Sequence, residues 1–271
     1  MEVVILADAD AVAAYVADAI VNVVGSRPMP VLGLATGSSP LGVYAELVRR
    51  HRAGMVSFHD VRAFLLDEYI GLPTGHPESY RAFIDTHFAG LVDIDATNVH
   101  VPGAGAAEEG VSGAAIADAC VAYEADIRAA GGVDLQLLGT GADGHLGFNE
   151  PTSSLASRTR VKTLTEQTRR DNARFFGSPD DVPMHVITMG VGSIMDARQV
   201  LLLAFGESKA HAIAAAIEGP ISAMNPASML QMHPVAKALI DEPAASRLTL
   251  NDYYRWVYDH KPQWQRFVRE S

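Results

Sequence analysis

Residues 133–151 read VDLQLLGTGADGHLGFNEP. The run VDLQLL, 133–138, reads as a buried strand, and the glycine-rich letters after it read as the loop leaving that strand. Gly139, Gly141 and Gly144 match the G-x-G-x-x-G turn of dinucleotide-binding proteins. That turn requires its last glycine to open a helix whose N-terminus holds a pyrophosphate. The continuation from His145 to Pro151 opposes such a helix, because Gly147 weakens it and Pro151 bars a helical turn from running through. The acidic residue that the motif places about 20 positions on is also missing, and Arg158, Arg160 and Lys162 stand in that region. What remains is a loop that presents Asp143, His145 and Glu150 close together, three proton-transfer groups at the end of a strand.

The same alternation extends outward in both directions. Strand-like runs at 2–6, 31–35, 61–67, 98–102, 185–191 and 199–205 are interleaved with helical patterns near 10–24, 40–53, 78–89, 106–130 and 207–217. Alternating strands and helices predict an α/β fold, a single open, mostly parallel, doubly wound sheet with helices on both faces. The chain is read as one domain, 1–271, since no repeat or low-complexity linker divides it. Segment 150–184 differs: it is polar, arginine-rich and carries its own helical pattern near 166–176. It is expected to leave the sheet as a lid.

Composition narrows the function. A net charge of −11 argues against a nucleic-acid or membrane-surface binder, although one local phosphate site remains compatible with it. The single cysteine, Cys120, permits no intramolecular disulfide and suits a reducing cytoplasm. The N-terminus lacks a basic region and is interrupted by Glu2, Asp8, Asp10 and Asp18, so neither a targeting peptide nor a membrane span is expected there.

In open parallel sheets ligands bind beyond the carboxyl ends of the strands. The strand at 31–35 runs into Thr36, Gly37, Ser38 and Ser39, with Pro40 suited to a first helical position. Hydroxyls and backbone N–H groups there fit either an anion site or an ordinary capped turn. The strand at 61–67 ends in Asp67 and Glu68, a candidate carboxylate base or a solvated turn. The strand at 199–205 runs into Gly206-Glu207-Ser208-Lys209, where a lysine opposes the helix dipole unless an anion joins it. No clustered histidine or cysteine pattern accompanies His145, so no metal is expected. Together these groups suit a small phosphorylated substrate handled by proton transfer.

The motifs LGLATGSSPLGVY, LLDEYIGLP, HPESYRAF, GTGADGHLGFNEPTSSLASRTRVKTL, NARFF and GESKAHAI, in this order, resemble the glucosamine-6-phosphate deaminase family. The resemblance covers roughly residues 31–243. It implies conversion of glucosamine 6-phosphate and water to fructose 6-phosphate and ammonia, in amino-sugar catabolism and with no cofactor. It implies that Asp67 is the base at C2, that His145 opens the sugar ring, and that Asp143 and Glu150 flank it. Phosphate contacts map to Thr36–Ser39, Arg174 and Lys209. Some members are hexamers activated by N-acetylglucosamine 6-phosphate bound between subunits, and the matching effector positions are Ser153, Arg160, Lys162 and Thr163. A C-terminal tyrosine of that site falls on Tyr253 or Tyr254. The resemblance thus implies a homo-oligomer. The 6-phosphogluconolactonases share the G-x-G-x-D-G-H loop but lack the F-N-E-P continuation and the D-E-Y motif, so Phe148–Pro151 and Asp67–Tyr69 favour the deaminases.

Overall fold

A computed structural model describes residues 1–105 and 111–262. Its strands are β1 (Glu2–Leu6), β2 (Val31–Leu34), β3 (Arg62–Leu65), β4 (Asp67–Tyr69), β5 (Val99–His100), β6 (Leu135–Gly139), β7 (Arg160–Thr163), β8 (His185–Thr188), β9 (Val200–Ala204) and β10 (Ala236–Asp241). Its helices are α1 (Ala9–Ser26), α2 (Leu41–Arg52), α3 (Tyr80–His87), α4 (Gly113–Ala129), α5 (Glu166–Phe176), α6 (Val191–Met195), α7 (Ala210–Ile217), α8 (Glu242–Ala245) and α9 (Asn251–Asp259). Five helix N-termini are fixed by local chemistry: Asp8, Ser79, Ser112, Thr165 and Asp241 each accept a backbone N–H from the first turn of α1, α3, α4, α5 and α8. The helical pattern expected from 106 begins at Gly113 in the described chain, and 106–110 lie outside the described residues.

Seven strands form one parallel sheet in the order β1-β10-β9-β6-β2-β3-β5. The chain winds one way through β2, β3 and β5 and the other way through β6, β9 and β10, so the direction reverses between β2 and β6. That reversal creates the crevice in which open α/β sheets bind ligands. The two-residue period of the strands feeds two cores. Val4, Leu32, Leu34, Leu135, Leu137, Leu201 and Leu203 pack on the side of α1, α2 and α3. Val3, Ile5, Val31, Leu138, Val200, Leu202 and Ile240 pack on the side of α4, α6, α7 and α8. By length and composition α1 could cross a bilayer, but its Val12, Val16, Ile20 and Val23 are buried in the first core.

Two features depart from the expected single sheet. The strand predicted over 61–67 stops pairing with the main sheet at Leu65, and Asp67–Tyr69 turns away as β4. The run HVITMGV, expected in the parallel sheet, instead supplies β8, which pairs antiparallel with both β4 and β7 in a separate three-stranded sheet. Runs buried on both faces look alike whether their neighbours are parallel or antiparallel, so this pairing has no local signature. β10, with Ala, Lys and Asp in ALIDE-like company, carries too few β-branched residues to stand out as a strand. Within the segment 150–184 lie β7 and α5, so the helix expected near 166–176 is present.

Glu124 of α4 ties the start of that segment to the main body. Its buried carboxylate accepts from Thr159 N (2.9 Å), Thr159 Oγ1 (2.6 Å), Arg158 (2.5 Å) and the Ser193 hydroxyl. Burial raises its pKa, and these donors outweigh burial and hold it below the ordinary value. Glu124→Ala should cost about 3 kcal/mol of unfolding free energy, because it strands several buried donors, as read from urea denaturation. The loss should shrink as pH falls, since a carboxylate with a lowered folded pKa stabilises above its unfolded pKa and ceases to do so once protonated.

Candidate active site

The carboxyl ends of β9, β6, β2 and β3 are neighbours in the sheet, so the loops singled out from sequence meet at one crevice. The turn from Thr36 to Ser39 leads from β2 into α2, and a methyl group added to Gly139, at the end of β6, would lie 3.5 Å from the Ser39 side chain. The N-terminus of α2 has no side-chain cap. Its first-turn N–H groups are therefore available to an anion.

After β6 the chain does not form a helix; it bends back through the loop to a tight turn at Leu146–Asn149. The glycines serve that bend rather than a pyrophosphate. A Cβ at Gly141 would stand 2.3 Å from His145 Cε1 and 2.7 Å from Asp143 Oδ1. Only glycine leaves room for the pair, in which His145 Nδ1 lies 2.8 Å from Asp143 Oδ1. Asp143 is pushed up by burial, but hydrogen bonding from His145 outweighs this and lowers it. A carboxylate on Nδ1 fixes the proton there and leaves Nε2 to exchange protons with a ligand. Glu150, expected beside His145, is held by α5: its carboxylate accepts a short hydrogen bond from Thr168 and a longer one (3.5 Å) from Thr165.

The neighbouring carboxylates Asp67 and Glu68 have opposite fates. Glu68 accepts from the backbone N–H groups of Tyr69 (2.8 Å), Tyr80 (3.0 Å) and Arg81 (3.0 Å), so it caps the start of α3. Asp67 is only 5% exposed and is not drawn into that cap. Burial, and then the nearby Glu68 charge, push it up to about 8. Gly147 (φ 55°) brings the loop backbone against it: a Cβ there would lie 3.1 Å from Asp67 Oδ2 and 3.0 Å from Thr188 Oγ1. The histidine loop and the carboxylate of β4 are thus packed on each other.

Lys209 opens the turn into α7 and is half-buried; burial lowers its pKa while Asp143 and Asp171 raise it. It therefore lies within electrostatic reach of the Asp143–His145 pair and of α5. Arg174, further along α5, is exposed, with its guanidinium 4.7 Å over the Phe175 ring. The helix that carries Arg174 reaches the crevice through Asn172, which donates to Tyr69 Oη at 2.9 Å. A cavity of about 410 Å³ opens beside Asp143, walled by Pro151, His211, Ala215, Met224 and Asn225. That volume is on the scale of a small-molecule site.

Of the four expected effector positions, three come together. Lys162 Nζ lies 3.4 Å from the buried Ser153 hydroxyl, and Arg160 is two residues away on the same face of β7. Thr163 belongs to the other face with Val161, and its hydroxyl pairs with His185 Nδ1 at 3.2 Å. The two-residue period of a strand separates it from the basic pair. Asn149, Thr168, Asn172 and Thr188 were not among the residues expected from sequence. Each is a small polar residue whose contact spans 18 to 103 positions, and no local pattern marks such a contact.

Fold and crevice together define an open α/β protein with proton-transfer groups gathered at its topological switch point. The chain belongs to the glucosamine-6-phosphate isomerase/6-phosphogluconolactonase family, whose pattern matches residues 7–239. It is 58% identical over 265 residues to a glucosamine-6-phosphate deaminase of Arthrobacter sp. (strain FB24), covering 98% of this chain and 99% of that one. A glucosamine-6-phosphate deaminase of Mycolicibacterium smegmatis is 57% identical over 266 residues, with 98% and 99% coverage. Among solved structures, a monomeric glucosamine-6-phosphate deaminase superposes with a TM-score of 0.84 at 38% identity, over 91% of this chain and 99% of that one. The 6-phosphogluconolactonase of Trypanosoma brucei shares the fold, with a TM-score of 0.74 at 20% identity over 92% and 98% of the two chains.

Asp67 should weaken the fold above its unfolded pKa. In the unfolded chain the group ionises near pH 4, whereas in the fold it stays protonated up to about 8. Stability is therefore lost as pH rises between those values, and further rise costs no more. Asp67→Asn should have a higher melting temperature than the wild type at pH 8–9 and a similar one at pH 4. Calorimetry at the two pH values checks this, and an unchanged difference would refute it.

Proposed function

We propose that this protein converts glucosamine 6-phosphate and water to fructose 6-phosphate and ammonia. The observation that carries the reading is the packing of a buried carboxylate, Asp67, against a loop that holds a paired histidine. His145, oriented by Asp143, takes the anomeric hydroxyl proton and returns one to the ring oxygen, opening the sugar. Asp67 as carboxylate then removes the C2 proton and delivers it to C1, giving a C2 iminium through the enolamine. Water adds at C2, and the C–N bond breaks with a proton moved to nitrogen, releasing ammonia and leaving the ketone. Each positioned acid or base contributes about 10²–10⁴-fold. The chemistry is redox-neutral and is complete with these side chains, water and substrate. Thr36–Ser39 at the N-terminus of α2 and Lys209 hold the phosphate, and Arg174 joins them when α5 closes. Glu150, held by α5 through Thr168, enters the same proton network. Work in a reducing cytoplasm fits the single, buried Cys120.

Incubation with glucosamine 6-phosphate should release ammonia and fructose 6-phosphate in equal amounts, and kcat/KM should rise with pH as Asp67 ionises, along a limb ending near pH 8. Asp67→Asn should abolish turnover and solvent-proton exchange at C2 while still binding substrate. His145→Gln should slow turnover of the cyclic sugar and spare binding of an open-chain mimic. Retention of more than a few per cent of the wild-type rate by Asp67→Asn would remove Asp67 from the base role.

Regulation belongs to the same reading. Ser153, Arg160 and Lys162 form a basic site for the phosphate of an effector, N-acetylglucosamine 6-phosphate, with Thr163 at its margin. α9 supports association of copies: Tyr253, Trp256 and Val257 are exposed, whereas Tyr254 is tied to Glu218 at 3.2 Å, which leaves Tyr253 as the tyrosine free to reach a neighbouring copy. The effector should shift apparent substrate affinity about 5- to 150-fold in an oligomer, up to a hexamer, seen by light scattering. Lys162→Ala should remove that shift. A monomer indifferent to saturating effector would end this part of the proposal.

A further inference from the structure

Arg160 has a use that does not depend on any bound anion. Its Nη1 donates to Asn149 Oδ1 at 2.9 Å and to the Arg158 carbonyl at 3.3 Å. Asn149 is completely buried, and its Nδ2 donates to Leu146 O at 2.8 Å and to Met189 O at 2.7 Å. Every polar atom of this amide is therefore engaged: its two protons close the turn at Leu146–Asn149 and tie it to the segment after β8, and its oxygen depends on the arginine. That turn carries His145 at its entrance and Gly147 against Asp67 and Thr188. Phe148 N completes the attachment by donating to Thr188 Oγ1 at 3.2 Å. Arg160 itself is placed from behind, because Glu124 grips the backbone and hydroxyl of Thr159, the preceding residue. Burial lowers the arginine's pKa, so the guanidinium is desolvated to make this contact.

We propose that Arg160 is a positioning residue for the deamination itself: through Asn149 it holds the Leu146–Asn149 turn, and so sets the distance and orientation of His145 relative to Asp67, whether or not an effector is bound. The inference rests on the deaminase reading for its kinetic consequences and on hydrogen bonds alone for its structural ones. It also gives an anion at the basic site a direct route to the chemistry. A guanidinium has five N–H donors, and an anion drawn to the outward ones pulls on the group that holds Asn149.

The test uses the purified full chain without effector. Arg160→Ala should lower kcat about 10- to 100-fold, the scale of a catalytic group displaced by about 1 Å, while KM for glucosamine 6-phosphate changes less than about threefold. Guanidinium chloride at non-denaturing concentration should restore part of kcat, and Arg160→Lys should keep part of it. Asn149→Leu should reproduce the loss, show no guanidinium rescue, and add little to Arg160→Ala in the double variant. Wild-type kcat in Arg160→Ala would overturn the proposal. So would a raised KM with kcat intact, which would make the arginine a substrate ligand, or a loss of kcat that neither guanidinium nor Arg160→Lys relieves. Should Arg160→Ala not fold, Arg160→Lys and Asn149→Leu are compared in the same way. Amide hydrogen exchange at Phe148 and Asn149 supplies a readout independent of turnover: it should rise in the Arg160 variants, and unchanged protection would refute the positioning role. A wild type that releases no ammonia would defeat the deaminase reading and leave the exchange result to decide this one.

Discussion

A carboxylate kept out of water organises this molecule. Asp67 sits where the strand after β3 abandons the parallel sheet, and it carries only 5% of its free exposure. An unneutralised charge there is costly, so the group is displaced toward its neutral form. The surrounding architecture is what keeps it there. β4 must leave the main sheet to place it, β8 must pair with β4 to cover the exposed edge, and the loop after β6 must arrive without a side chain at Gly147 to lie against it. Its neighbour Glu68, 8% exposed and also raised by burial, instead meets three backbone N–H groups and serves as a helix cap. The difference between the proposed base and the cap is one residue along a strand, hence one face of the pleat.

Much of this arrangement was legible in the residues. Asp67, His145, Lys209 and the Thr36 turn each stand at the end of an apolar run, and the rule that parallel sheets bind ligands at their carboxyl ends needs only those runs and their order. The glycine loop was separable from a dinucleotide site because Gly147 and Pro151 forbid the helix such a site requires. What stayed hidden depends on contacts between distant positions. Nothing local distinguishes Asn149 from any turn asparagine, yet its amide bridges to Met189, forty positions on. Nothing local assigns Glu150 to Thr168, and its pairing follows from where α5 docks. Thr163 was grouped with Arg160 and Lys162 by the family resemblance, whereas strand alternation puts it on the opposite face.

The segment that leaves the sheet is joined to the catalytic crevice at several points of different chemistry. Thr168 holds Glu150, Asn172 holds the hydroxyl of Tyr69 two residues from Asp67, and Arg160 holds Asn149. Its root is fixed by Glu124, whose buried carboxylate binds both ends of the junction through Thr159 and Ser193. By contrast α5 itself has no fully buried residue, and its charged residues Glu166, Arg170, Asp171 and Arg174 face water. A rigid root with a lightly packed helix is the distribution of stability expected of an element that moves over a ligand while its attachments stay in register.

This distribution explains why a weakly anchored helix can matter to the chemistry. α5 reaches Glu150 through the hydroxyls of Thr165 and Thr168 and reaches Tyr69 through Asn172 and the ring of Phe176, so its position decides the partners of both. The Asp143–His145 pair does not share that fate, because its geometry is fixed within the loop by Gly141 and the turn behind it is fixed through Asn149 by Arg160. On the proposed reading, His145 and Asp67 therefore keep their spacing while α5 moves. On the same reading, a phosphate that draws Lys209 and Arg174 together closes α5 onto His145 and Asp67 already in place, so binding energy at the phosphate is spent on enclosure rather than on assembling the base.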